Sequence, residues 1–329
     1  MVSQNHLNYL QSVNNLSIRN IGLTGKNPSV ACLIVDYSKS SKGIILSYGL
    51  TSNNGRPHAE INALKKISRN KINNKTVMYI SLEPCFKKSS CCAKAIVKAG
   101  IKKVFISSLD PNPNIKGKGI DFLKKQKIKV FHSLKSTDRF KMINKFFYTR
   151  KTLNRPFITL KIAISKNGFS KSPTHKNITS DQTQYFMHQL RLSHDAIAVG
   201  MNTVLDDKPK LTCRLQGVSK NIAKLIFSNK EIKFKNYKLI IVDYKKTVTE
   251  NFSLFKKLKT QSILIEGGLN TFKYFLNCNL FDEVIVCQSN MTIKNASKKY
   301  FLSMKSITNN LILKSSLKYG EDMIYKFTN

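Results

Sequence analysis

Five residues in the first third of the chain have the types and spacing for chemistry. His58 and Glu60 stand two apart in Pro57-His58-Ala59-Glu60, and further on Glu83-Pro84-Cys85 is closely followed by Cys91-Cys92. One imidazole and two thiolates supply three ligands for zinc, and three leave the fourth tetrahedral position to water, the arrangement of a catalytic rather than a structural site. The predicted helix that opens at His58 does not put residues two apart on one face, so Glu60 is free to reach that water from the side and shuttle its proton. Zinc lowers the pKa of a bound water towards ~7. With Glu60 carrying protons between that water and a leaving group, the chemistry is metal-assisted hydrolysis.

A second group lies in the other half. The apolar run SILI leads into Glu266-Gly267-Gly268 and then a predicted helix over 269–276. Glycines opening a helix offer backbone N–H groups and a positive dipole end to a phosphate, although such a turn is also the ordinary way to join strand to helix. Taken singly, Arg191 reads as a solvated helix face and Arg214 as a loop ion-pair residue. Lys161, inside a predicted strand, is either an electrostatic aid or a lysine whose stem packs while its ammonium reaches water. No Gly-x-Gly-x-x-Gly occurs, so nothing argues for a Rossmann domain.

These groups need elements to hold them. The 329 residues suffice for two ordinary domains, and 41% hydrophobic with 22% charged residues is the composition of a chain that buries cores. The first half alternates between a helix over 7–18, strands over 30–35 and 43–49, a helix over 58–67, a strand over 76–82, a helix over 92–98 closed by Gly100, a strand over 103–107, a helix over 120–125 and a strand over 128–132. A basic, part-helical stretch over 137–155 follows, and Arg155-Pro156 opens the strand FITLKIAIS. The boundary is placed near residue 150, giving domains 1–150 and 151–329. The second half has a helix over 180–192, strands over 196–200, 238–242 and 262–266, and the helix over 269–276.

Lysine and arginine total 56 against 18 acids, a net charge of +38, which raises nucleic acid as a partner. A binding footprint would cluster on one face with aromatics interleaved; the lysines are instead dispersed, and the runs Lys87-Lys88, Lys102-Lys103 and Lys124-Lys125 fall in separate predicted elements. The expectation is no nucleic acid, and a field that draws in small phosphorylated substrates. Of the seven cysteines, Cys32, Cys213, Cys278 and Cys287 lie singly in or beside apolar segments and read as reduced core residues. No apolar run approaches the roughly 18 residues of a membrane span, and the first twenty residues lack a secretory pattern. No membrane partner and a cytoplasmic location are expected.

His-x-Glu with Pro-Cys and a further Cys resembles the zinc nucleoside and nucleobase deaminases. Asn27-Pro28, Asp110-Pro111-Asn112-Pro113 and Gly117-Lys118-Gly119 narrow the branch. So do Leu160-Lys161, Ala163, Ser165, Ile178-Thr179, Leu190-Arg191, and the run from Asp195-Ala196-Ile197 through Val199-Gly200, Thr203, Asp207, Pro209, Leu211 and Arg214. Together they make the chain similar over nearly its whole length to the bifunctional riboflavin biosynthesis deaminase/reductase family. The resemblance implies an α/β protein with an N-terminal cytidine-deaminase-like three-layer αβα domain and a C-terminal dihydrofolate-reductase-like α/β domain.

For the site residues, the resemblance implies Zn²⁺ on His58, Cys85 and Cys92, with Glu60 catalytic. Substrate contacts would fall at Asn27, Asp110, Asn112, Arg191, Leu211, Arg214 and Glu266, and NADPH contacts at Ala163, Thr203, Asp207, Gly267, Gly268 and Leu269. The implied activity is deamination of a diaminopyrimidinone ribosylamine phosphate followed by NADPH-dependent reduction of its ribosyl chain, in a homo-oligomer. Five residues separate Cys85 from Cys91 and six separate it from Cys92, so either can be the third ligand. Aligning Ser89-Ser90-Cys91-Cys92 on the family's Thr-Pro-Pro-Cys favours Cys92. Other departures are Ala31 for Gly, Thr51 for His, Lys166-Asn167 for Leu-Asp, and Asn177 for Trp. Two rival readings are a reductase whose deaminase half is only a structural module, and a nucleic-acid-binding base deaminase.

Overall fold

Two runs in the first half are buried at every position, the pattern of strands covered on both faces. In the computed structural model, which describes residues 3–86, 91–218, 220–231, 237–241 and 255–329, they are β1 (Ala31–Asp36) and β3 (Thr76–Leu82). With β2 (Ile44–Leu50), β4 (Lys103–Ser108) and β5 (Lys129–His132) they form a five-stranded sheet in the order β2-β1-β3-β4-β5. β1 runs antiparallel to β2 and β3, while β3, β4 and β5 are parallel.

Side-chain alternation feeds two cores. Ala31, Leu33, Val35, Val77, Tyr79 and Phe105 meet Leu10 and Val13 of α1 (Gln4–Ser17) on one face. Cys32, Ile34, Met78, Ile80, Val104 and Ile106 face the other way, onto α2 (Ala59–Lys65), α3 (Cys92–Ala99) and α4 (Lys118–Lys125). Helix, sheet and helix make the three αβα layers. The expected helix over 58–67 is shorter at both ends: His58 is its extended N-cap and Lys66 its C-cap. α3 stops at Gly100, whose left-handed φ of 85° returns an N–H to Val97 O. α5 (Leu134–Ile143) and α6 (Lys145–Thr152) follow β5, so a helix runs through residue 150, and the two compact units of the chain are Met1–Asn154 and Arg155–Asn329.

The second unit is built on eight strands in the order β12-β13-β11-β6-β10-β7-β8-β9. β6 (Phe157–Ile164), β7 (Ala196–Gly200), β8 (Ala223–Ser228), β9 (Lys238–Ile241), β10 (Ser262–Glu266) and β11 (Glu283–Gln288) are parallel, and the hairpin β12 (Ile312–Tyr319) and β13 (Asp322–Thr328) joins antiparallel at the β11 edge. Ile158, Leu160, Ile162 and Ile164 of β6 pack with Ile263, Ile265, Val284 and Val286 against Phe272 and Phe275 of α9 (Leu269–Asn277). The opposite face takes Met187 of α7 (Asp181–Ser193) and Val204 of α8 (Met201–Asp207). Ser180 caps α7, its hydroxyl accepting from Thr183 N. Val242, expected at the end of β9, lies outside the described residues. Among the described residues, no helix is long and apolar enough to cross a membrane.

One glycine governs how α2 docks. A Cβ on Gly49 would lie 2.1 Å from Ala59 O and 2.4 Å from Ala63 N, both main-chain atoms that cannot swing away. Gly49→Ala is expected to destabilise the first unit by about 1–3 kcal/mol, as overpacking does, and to lower its metal content. Denaturant unfolding and metal analysis check both.

Candidate functional site

The first cluster forms where α2 begins and β3 ends. His58 caps α2, Cys85 lies just beyond β3, and Cys92 is the first residue of α3. Their ligand atoms all lie within 4.8 Å of one another, with His58 Nδ1 3.5 Å from Cys85 Sγ and 3.3 Å from Cys92 Sγ. Tetrahedral zinc bonds of about 2.3 Å to sulfur and 2.0 Å to nitrogen hold those atoms about 3.5 Å apart, so the donor set fits the ion in both chemistry and spacing. Cys91 points elsewhere and packs with Ile80, Ile96 and the rest of the α2–α4 core. Lys87, Lys88, Ser89 and Ser90 lie outside the described residues.

Glu60 is only 3% exposed. Burial pushes its carboxyl up to about 7, the negative charge of Cys85 pushes the same way, and its side chain bonds Cys92. The two thiols divide unequally: a hydrogen bond from Cys92 helps bring Cys85 down to about 4, while Cys92, the buried donor, is raised. A cation among them would stabilise every anionic form.

The remaining expected residues of this half are held by hydrogen bonds of their own. Asn27 Nδ2 donates to Gly55 O, and a Cβ on Gly55 would collide with that amide nitrogen at 2.0 Å. Asp110 is buried, which raises its pKa, and its Oδ1 accepts the N–H of Asn112 at 2.8 Å. Thr51, where the resemblance would place a histidine, is structural, its Oγ1 accepting the N–H of Val30.

The second unit carries a cleft of about 1280 Å³ beyond the carboxyl ends of β6, β7, β8 and β10, where parallel sheets commonly bind ligands. Ala163, Thr203, Asp207, Gly267, Gly268 and Leu269 all line it, as do Arg191, Leu211 and Arg214. Gly267 and Gly268 have φ of 82° and 71°, and a Cβ on Gly268 would press on Thr203 Oγ1 at 2.9 Å. Main chain therefore reaches the cleft directly at the start of α9, which suits a phosphate-bearing dinucleotide.

Glu266 is not a wall of this cleft but sits behind one. Its Oε1 and Oε2 accept from Arg191 Nε and Nη2 at 2.8 and 2.6 Å, and Arg191 Nη1 donates to Thr212 O. Asp207 pairs with Lys171 at 3.2 Å. Lys161 also lines the cleft, facing Glu266 and Ile285 in register. Sequence reasoning missed Lys171, Lys176, Lys208, Lys210 and Lys299 on its walls; among 56 basic residues nothing local distinguishes them. Asn177 lines the cleft too, whereas Asn167 ties its turn to Ile293 through both amide atoms. Cys32 and Cys287 are fully buried, but Cys213 and Cys278 are only partly covered, a correction to their reading as core residues. Cys213 sits in the loop after α8 and spends its thiol on His188 O.

Comparison with known proteins separates the two halves in the same way. Residues 3–108 match the cytidine and deoxycytidylate deaminase zinc-binding region, and residues 156–325 match the RibD C-terminal domain. A zinc-binding deaminase region and a reductase region thus share one chain, which defines a bifunctional deaminase/reductase. The chain is 31% identical to the riboflavin biosynthesis protein RibD of Buchnera aphidicola, with 89% of each covered, and 29% identical to that of Aquifex aeolicus, with 99% of each covered. It belongs to the RibD family. In fold it matches Acinetobacter baumannii RibD (TM-score 0.83, 22% identity, 99% of each chain). A Thermotoga maritima protein described as a diaminohydroxyphosphoribosylaminopyrimidine deaminase/5-amino-6-(5-phosphoribosylamino)uracil reductase matches with TM-score 0.82, 24% identity and 98% of each chain.

Two outcomes follow from this geometry. Cys92→Ser is expected to remove most of the bound zinc, whereas Cys91→Ser costs stability but leaves zinc near one per chain; metal analysis of both proteins checks it. Burial alone would raise the Glu266 carboxyl, but the bonds and charge of Arg191 outweigh it and the net shift is down from 4.5. The stabilisation is therefore fully present above pH 4.5 and lost as pH falls through the lower folded value. The melting-temperature gap between wild type and Glu266→Gln is expected to narrow between pH 5 and pH 3.

Proposed function

We propose that the first unit hydrolyses an amino group from a diaminopyrimidinone ribosylamine 5′-phosphate, and that the second reduces the ribosyl chain of the product to ribityl with NADPH. The observation that carries this reading is a buried carboxylate, Glu60, bonded to one member of a His-Cys-Cys cluster, in a chain that also presents a basic, glycine-floored cleft. His58, Cys85 and Cys92 would hold zinc, and Ala163, Thr203, Asp207 and the loop over 267–269 would hold NADPH. The zinc supplies Lewis acidity towards water, and NADPH supplies a hydride.

The residues of the chain do the rest. Glu60 accepts a proton from the attacking water and returns it to the departing amine, and its dry surroundings keep that proton from leaking to solvent. Asn27, Asp110 and Asn112 would orient the pyrimidine phosphate. In the cleft, Arg214 and the remaining N–H groups of Arg191 take the sugar phosphate, Leu211 packs beside it, and Glu266 fixes the orientation of Arg191. Lys161 adds positive charge beside the reacting sugar. We take the working domains as the two compact units, 1–154 and 155–329, and the setting as a cytoplasmic homo-oligomer.

The test is incubation with the diaminopyrimidine phosphate, with and without NADPH, following ammonia and NADPH absorbance separately. Glu60→Gln is expected to cut ammonia release by about 10²–10⁴-fold, the usual weight of a general acid–base group, while NADPH oxidation on the deaminated phosphate continues. Wild-type protein that oxidises NADPH yet releases no ammonia would reduce the first unit to a structural module.

A further inference from the structure

We propose that Glu83 is a positioning residue for deamination: its carboxylate fixes the loop bearing Asp110 and Asn112 against the strand end that presents Cys85, and so sets affinity for the pyrimidine rather than for the metal. The inference rests on the deaminase reading of the first unit. Glu83 directly follows β3 and is 4% exposed. Its Oε2 accepts the main-chain N–H groups of Asp110 at 3.3 Å and Gly117 at 3.0 Å, and its Oε1 accepts that of Gly119 at 3.0 Å. In return its own N–H donates to Ser108 O at the end of β4.

One side chain thus ties both ends of the segment over 110–119 to the residue two before Cys85. The segment is held from the other side as well. A Cβ on Gly119 would lie 2.0 Å from Pro84 O and 3.4 Å from Glu83 Oε1, so the start of α4 rests directly on the Pro84-Cys85 peptide. Asp110 passes the constraint along by accepting the N–H of Asn112. All three donors to Glu83 are main-chain groups, and two belong to the N-terminal turn of α4, where partial positive charge favours a carboxylate. Glutamine cannot replace it: one of its two acceptor positions becomes an NH₂ facing an N–H, which leaves a buried donor unmatched. Glu83 is also absent from the convergent ligand set, so its loss acts on the loop before it acts on the ion.

The experiment uses the full chain as wild type, Glu83→Gln and Gly119→Ala. Zinc content, ammonia release against concentration of the diaminopyrimidine phosphate, and NADPH oxidation on the deaminated phosphate are measured on each. Glu83→Gln is expected to keep about one zinc per chain and unchanged NADPH oxidation, with KM for deamination raised at least tenfold and kcat lowered by less than KM rises. Gly119→Ala is expected to move KM in the same direction. A wild-type KM in Glu83→Gln overturns the proposal. So does loss of zinc in proportion to ammonia release, since that would make Glu83 a support of the metal cluster. Should Glu83→Gln unfold the first unit, Gly119→Ala decides by the same KM criterion. An inactive wild type defeats the underlying deaminase reading, and the proposal with it, whereas an active wild type matched by both variants removes the positioning role alone.

Discussion

The first unit depends on bringing the start of one helix within thiol reach of a strand end 27 residues later. An imidazole and two sulfurs converge only if α2 lies close along the sheet and α3 begins where β3 stops. Gly49 permits the first condition by leaving room for the main chain of α2. The second follows from β3 being buried on both faces, which fixes its register against β1 and β4 and thereby the direction in which Cys85 leaves the sheet. Glu83 and Gly119 then brace that exit from the side of α4. Such a site belongs to the scaffold as much as to its ligands.

The second unit meets a different demand. Its ligand is large and anionic, so it needs room and donors rather than a tight donor cage. Parallel strands ending on one side leave a broad cleft, two glycines with positive φ bring main chain to its floor, and basic side chains from several elements line it. Arg191 and Glu266 are the exception to this openness. They form a buried, two-bonded pair whose geometry is set before anything binds.

The parts of this picture that could be read from residues alone are those whose chemistry is local. His58, Glu60 and Cys85 announce a metal site because their types are unusual in that company, and the both-face burial of β1 and β3 follows from the consecutive apolar residues ACLIV in β1 and VMYI in β3. The choice between Cys91 and Cys92 could not be made from spacing; it turns on α3 beginning at Cys92, which aims that sulfur at His58 and leaves its neighbour in the core. β12 escaped notice because an edge strand carrying lysines and serines, exposed along most of its length, has no hydrophobic period to detect. β8, β11, β13 and α8 were passed over as well, although EVIVCQ in β11 is an apolar run of the kind that marks a strand. Glu266 was legible as a residue of the glycine turn, but its place behind Arg191 depends on a side chain of α7 reaching the last residue of β10, a tertiary fact.

The pairing of Arg191 with Glu266 also bears on how the cleft would respond to ionic strength. A guanidinium whose charge is cancelled at contact distance has little long-range pull, so it recognises a bound group by the direction of its spare N–H bonds, which dissolved ions screen weakly. Attraction over distance falls instead to Arg214 and the lysines on the walls, whose reach shrinks with the Debye length. Capture of an anion and its final orientation are thereby assigned to different side chains, and only capture is sensitive to salt.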